Sequence, residues 1–229
     1  MSSYKEHVLA SIIMVFPFFP EVFYIGLAVI GASIIDMDHN VNQKNIIIMG
    51  LLGVILSLLL YIFQLPYLVG FLIVLMAVLF YISDHRGFMH SILGIIFITG
   101  CISLFVLGAY TLLSNYNINV NIILIIILLI LGIVILNKKL VPIFGFLIII
   151  GIIFTDIGFN IYYMVLAIFL GCLSHIILDL FTPSGVQLLS PLSSEKFKKL
   201  AGLTLLGIWV GCVLASVVLY NNNFFIIKL

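Results

Sequence analysis

His175 and Asp179, in the run His-Ile-Ile-Leu-Asp near the end of an apolar stretch, are the pair in this chain whose types and spacing most favour chemistry. On a helix a four-residue spacing stacks both side chains on one face. An imidazole beside a carboxylate can hold a divalent cation such as zinc, or can form a hydrogen bond that only locks helices together. Ionisable groups within an apolar span are costly and usually functional, which favours ligation. Thr182 continues the same face before Pro183 ends the helix. Beyond it, Gly185 stands in a turn-rich loop where a bare backbone can approach a ligand closely.

Three further segments carry candidate groups. Asp36 and His39, in Asp36-Met37-Asp38-His39, are three apart and share a face if the helix persists, although aspartate and asparagine are also ordinary turn residues. The segment Asp84-His85-Arg86-Gly87-Phe88-Met89-His90-Ser91 holds the only arginine of the chain. Ser91 can cap the apolar helix that follows, and a helix N-terminus beside a guanidinium fork suits a phosphate group. The same arginine can equally be a juxtamembrane charge that fixes topology. His7, alone near the start of the first apolar stretch, gains weight only if the chain folds back to bring it near Asp36.

The elements that must position these residues follow from composition. Of 229 residues 65% are hydrophobic and 7% charged, against roughly a quarter charged in a soluble domain. Apolar runs fill nearly all of the length, so residues 1–229 read as one integral-membrane domain with lipid as its main solvent. A formal charge of +1 provides no basic surface for nucleic acid, and none is expected as a stable partner. Cys101, Cys172 and Cys212 stand singly in apolar runs, without zinc-ribbon or disulfide spacing. The N-terminal apolar stretch lacks a small-residue cleavage site and is expected to be retained.

Pro17 and Pro20 divide residues 8–35 into two short helices, a hairpin that returns the chain to its starting side. Apolar runs at about 46–63, 67–83, 91–113, 120–136, 140–155, 161–180 and 201–220 follow. The expected fold is therefore an all-α polytopic bundle of about seven full spans plus a short N-terminal helical hairpin. Folding this alternation across a membrane gathers Lys5, Lys44, Arg86, Lys138, Lys139, Lys196, Lys198 and Lys199 on one side and leaves Lys228 on the other. By the positive-inside rule the lysine-rich side is cytoplasmic. All five histidines fall on that same side, with Asp36, Asp38, Asp84 and Asp179. A topology chosen from lysines thus collects the titratable groups as well.

The combined motifs resemble the YdjM-like family of membrane-bound metal-dependent hydrolases. The resemblance rests on His7, the Asp-x-Asp-His stretch 36–39, His-Arg-Gly-x-x-His-Ser over 85–91, and His-x-x-x-Asp-x-x-Thr-x-x-Gly over 175–185. The chain departs from that pattern at Ile35, where the family often has proline, and at Met89, where it often has threonine. A more distant likeness joins the family to zinc-dependent phospholipase C and related nucleases, which implies His175 and Asp179 as leading ligands and phosphoester cleavage as the reaction. On this reading His7, Asp36, His39, His90, His175 and Asp179 hold divalent metal, zinc being the implied ion and its number open. Arg86, with Ser91, Thr182 and Gly185, contacts a small-molecule or lipid phosphoester, and His85 or Asp38 moves a proton. Membrane lipid is the expected surrounding partner. The competing class is a metal-ion or proton transporter using the same groups as a relay, and a third is a structural protein whose polar end binds a cytoplasmic partner.

Overall fold

The computed structural model describes residues 4–38, 43–83, 87–155 and 157–221, with Asp38 and residues 219–221 described by backbone alone. Among them the chain is helical throughout: α1 (Tyr4–Val15), α2 (Val22–Ile34), α3 (Gln43–Ile62), α4 (Leu68–Ile82), α5 (Ile92–Ser114), α6 (Val120–Ile135), α7 (Val141–Ile153), α8 (Ile161–Leu180) and α9 (Lys199–Asn221). Short 3₁₀ turns follow α2 and precede α5. A single antiparallel bridge, Val186 with Phe197, closes the loop between α8 and α9.

Local chemistry explains the boundaries. Residues 16–21, with Pro17 and Pro20, separate α1 from α2 and produce the expected hairpin. Ser91, Asn119 and Asn160 cap α5, α6 and α8, each accepting a hydrogen bond from a backbone N–H of the first turn. Gln64, with a positive φ of 54°, and Pro66 make the turn between α3 and α4.

Length separates these helices into two kinds. Four of them, α3, α5, α8 and α9, are long and apolar enough to cross a membrane. The other three of the seven expected spans, α4, α6 and α7, have 15, 16 and 13 residues. At 1.5 Å per residue these reach roughly 20–24 Å, short of a hydrocarbon core of about 30 Å. Seven equal crossings are thus not what the helix lengths describe. Apolar side chains such as Leu58, Phe71, Phe146 and Val218 are exposed on the outer face, as lipid solvation requires.

The shortest-range packing is at the centre. Eleven of the thirteen residues of α2 are buried, so this helix is apolar all round and enclosed by its neighbours. It runs parallel to α8, and glycines bring the two backbones together. A Cβ on Gly171 would lie 2.2 Å from the Ala28 carbonyl oxygen, and one on Gly31 would lie 2.5 Å from that of Ile168. At the far end the Tyr24 hydroxyl donates to the Gly158 carbonyl and accepts from the Asn160 N–H, both at 2.9 Å. Small residues at a membrane helix crossing permit this approach and its dispersion contacts.

Gly171→Ala should force α2 from α8 and cost about 1–3 kcal/mol, the usual penalty of overpacking. Gly207, which has open space around it, provides the control: Gly207→Ala should be neutral or stabilising by up to about 1 kcal/mol. Thermal unfolding in detergent compares them, and an unchanged midpoint for Gly171→Ala would refute the close-contact account.

Candidate metal centre

The parallel register of α2 and α8 sets the first contact of the site. Ala28 meets Gly171, and one turn later Ala32 meets His175. The last carbonyls of a helix lack intrahelical partners, and α8 supplies two here. The Cys172 Sγ–H donates to the Gly31 carbonyl at 3.2 Å, and His175 Nδ1 stands 2.7 Å from the Ala32 carbonyl oxygen. A carbonyl can only accept, so Nδ1 carries a proton and donates. Nε2 of the neutral ring is then a lone pair, aimed away from α2.

That lone pair faces carboxylates. His175 Nε2 lies 3.4 Å from Asp36 Oδ1 and 3.6 Å from Asp179 Oδ2. His90 Nε2 lies 3.8 Å and 3.7 Å from the same two oxygens. His7 Nε2 is 3.9 Å from Asp179 Oδ1, and its ring stacks on that of His175 with centroids 3.8 Å apart. The rings of His90 and His175 meet edge to face at 5.4 Å. Four separate parts of the chain converge: the second turn of α1, the 3₁₀ turn after α2, the 3₁₀ turn before α5, and the last two turns of α8.

His7, His90, His175 and Asp179 are buried, whereas the Asp36 side chain retains 32% exposure and gives the cluster its contact with the surface. With neutral imidazoles the two carboxylates bring two negative charges to a largely buried cluster. Burying such charge uncompensated costs several kcal/mol per ion. Either protonated imidazoles or a divalent cation can compensate it. His175 Nε2 is buried, and with Nδ1 already donating it faces two carboxylate oxygens, donating to them when protonated and forming a set of three acceptors with them when neutral. A cation satisfies all three at once.

Spacing agrees. In a tetrahedral site with bonds of about 2.0–2.1 Å the ligand atoms stand about 3.3 Å apart, close to the 3.4 Å and 3.6 Å at His175. Two overlapping groups, His7 with Asp36 and His175, and His90 with His175 and Asp179, have ligand atoms within 4.8 Å of one another. Imidazole nitrogen with carboxylate oxygen suits zinc or a similar divalent ion. The Ala32 carbonyl would then orient a ligating ring through its second nitrogen, a common outer partner in such sites.

The other candidates fall elsewhere. His39, His85 and Arg86 lie outside the described residues, as does the side chain of Asp38. Ser91 is fully buried and its hydroxyl serves the helix start, donating to the Phe88 carbonyl at 2.7 Å and accepting from the Gly94 N–H at 3.0 Å. Thr182 Oγ1 donates to the Asp179 carbonyl at 2.6 Å and so braces the end of α8 behind the carboxylate. Gly185 has φ of +64°, and a Cβ there would lie 2.5 Å from the Phe197 carbonyl oxygen. Its close approach is thus to the chain's own backbone. Sequence reasoning missed the Ala32 carbonyl, because a backbone acceptor carries no residue-type signal.

Fold and cluster together define an integral membrane protein with a buried histidine–aspartate centre at one end of its helices. The chain belongs to the YdjM inner membrane protein family, whose profile matches residues 4–227. No curated protein and no solved structure matches it.

Chelator-stripped protein should regain thermal stability when zinc is added, by about 4 kcal/mol at a thousandfold excess over Kd. His175→Ala and Asp179→Asn should lose the bound metal in elemental analysis, while Thr182→Ala should retain it. Wild-type protein that takes up no divalent ion would eliminate the metal centre.

Proposed function

We propose that this protein is a membrane-bound metal-dependent hydrolase that cleaves a phosphoester at the cytoplasmic face of the cell membrane. The observation that carries the reading is the inward face of His175: a ring whose Nδ1 is held by Ala32 and whose Nε2 meets two carboxylates. Such a nitrogen is shaped for a cation. A divalent ion at this position supplies Lewis acidity and an activated water. In the proposal His175 and Asp179 hold it, with His7, Asp36, His39 and His90 completing one or more sites. Asp36, the partly exposed carboxylate, marks where a substrate enters. Arg86, four residues before His90, binds the phosphoryl oxygens through its planar fork, and His85 or Asp38 transfers the proton.

Position supports hydrolysis over transport. Relay and transport sites lie along a path near the bilayer midplane, commonly between broken helices. These groups instead gather where α1 begins and where α2 and α8 end, and the opposite ends of α2 and α8 meet through Tyr24 and Asn160, with Glu21 the acidic residue at the start of α2. Phosphoester specificity rests on Arg86 and on the family resemblance. Cytoplasmic orientation rests on the lysines. Tyr4 accepts from the Asn137 N–H at 3.3 Å, which brings Lys5 to the same end of the bundle as Lys138 and Lys139.

Two measurements test this reading. Zinc-loaded protein should hydrolyse a generic phosphodiester or phospholipid, and Asp179→Asn should abolish turnover while the protein remains inserted. Metal-independent ion flux in proteoliposomes, reduced by the same substitution, would establish the transporter instead. Separately, a cysteine at position 138 should resist impermeant labelling of sealed cells and one at position 117 should accept it; the reverse pattern would invert the topology.

A further inference from the structure

A groove on the outer side of the bundle, away from the metal cluster, runs between α1, α2 and α7. Its cavity volume is about 430 Å³ and its lining, which includes Val8, Ile12, Val29, Leu140, Phe144 and Leu147, is entirely apolar. At one end α7 closes on α2, where a Cβ on Gly151 would lie 2.6 Å from the Val22 side chain. From there to Leu140 the groove follows α7 for roughly 16 Å.

The other end is charged. Leu136 and Leu140 both line the groove, and the turn between them carries exposed Lys138 and Lys139. The hydrogen bond from the Asn137 N–H to the Tyr4 hydroxyl draws in the start of α1, whose exposed Lys5 stands three residues before Val8. The apolar groove thus ends at the same end of the bundle as Lys5, Lys138 and Lys139. That arrangement complements an amphiphile with an anionic head.

Size narrows the occupant further. The groove is a cleft roughly 16 Å long with a cavity volume of about 430 Å³. A single hydrocarbon chain is slender enough. We infer that this groove binds one acyl chain of an anionic phospholipid, with the lipid phosphate held by Lys5, Lys138 and Lys139. None of these residues belongs to the metal cluster, so the inference stands apart from the proposed hydrolysis.

A fluorescence measurement decides it. Phe144→Trp in a Trp209→Phe background places one reporter in the groove, and Phe71→Trp in the same background places one on the exposed face of α4. Both variants are reconstituted in phosphatidylcholine vesicles and titrated with brominated phosphatidylglycerol or brominated phosphatidylcholine. A basic residue near anionic lipid is worth about fivefold in association, so phosphatidylglycerol should quench the groove reporter with at least fivefold preference. The α4 reporter should show no preference, and Lys138→Gln with Lys139→Gln should remove that of the groove. Equal quenching by the two lipids at Phe144→Trp, the same anionic preference at Phe71→Trp, or an undiminished preference in the lysine variant would each overturn the assignment. Metal content measured on the same samples should not change.

Discussion

The backbones of α2 and α8 lie closer than any residue with a Cβ allows at Gly31 and Gly171, and much of the architecture depends on that contact. Two parallel helices in such proximity have little freedom to slide, because the carbonyls of Ala28, Gly31 and Ala32 each meet a set partner on α8. The same offset that seats Ala28 on Gly171 seats the Ala32 carbonyl on His175 one turn later. Helix packing therefore holds a proton on Nδ1 of His175. Hydrocarbon offers no hydrophobic drive between helices, so close approach and buried hydrogen bonds take over that role.

A second constraint is electrostatic. Asp36 and Asp179 face one another across His90 and His175. Buried carboxylates this close require compensating positive charge or donors, and the fold supplies supports around the cluster. Thr182 braces the carbonyl of Asp179, the stacked ring of His7 covers one face of His175, and Ser91 holds the start of α5 directly after His90. Ser91 and Thr182, which the sequence offers as substrate contacts, thus make hydrogen bonds to the backbone beside His90 and Asp179.

Much of this was readable from the chain itself, and the reason differs for each part. Helix positions follow from Pro17 and Pro20, from the caps Ser91, Asn119 and Asn160, and from polar breaks such as Gln64 to Pro66, all of which act locally. Convergence of His7, Asp36, His90, His175 and Asp179 followed from parity: a chain that crosses back and forth returns its like ends to one side. Span number was not readable in the same way, because an apolar run of 13–16 residues such as α6 or α7 fits a short enclosed helix as well as a crossing. Nor was the α2–α8 pairing, since Gly31 and Gly171 are two of 18 glycines and nothing local marks them as partners. The role of Gly185 shows the same limit: its type announced a close approach, and only the folded chain shows that Phe197 is what it approaches.

The unequal helix lengths also bear on the surrounding bilayer. With its outward side chains Phe146, Leu147 and Ile153 exposed, α7 presents an apolar flank only 13 residues tall, beside α2 and α6 of 13 and 16 residues. Hydrocarbon about 30 Å thick cannot match a flank of roughly 20 Å without thinning or tilting, at a cost of fractions of a kcal/mol per ångström. A wall of that height is matched best by thin hydrocarbon, and it is the place where a headgroup travels the least distance to reach the helices within.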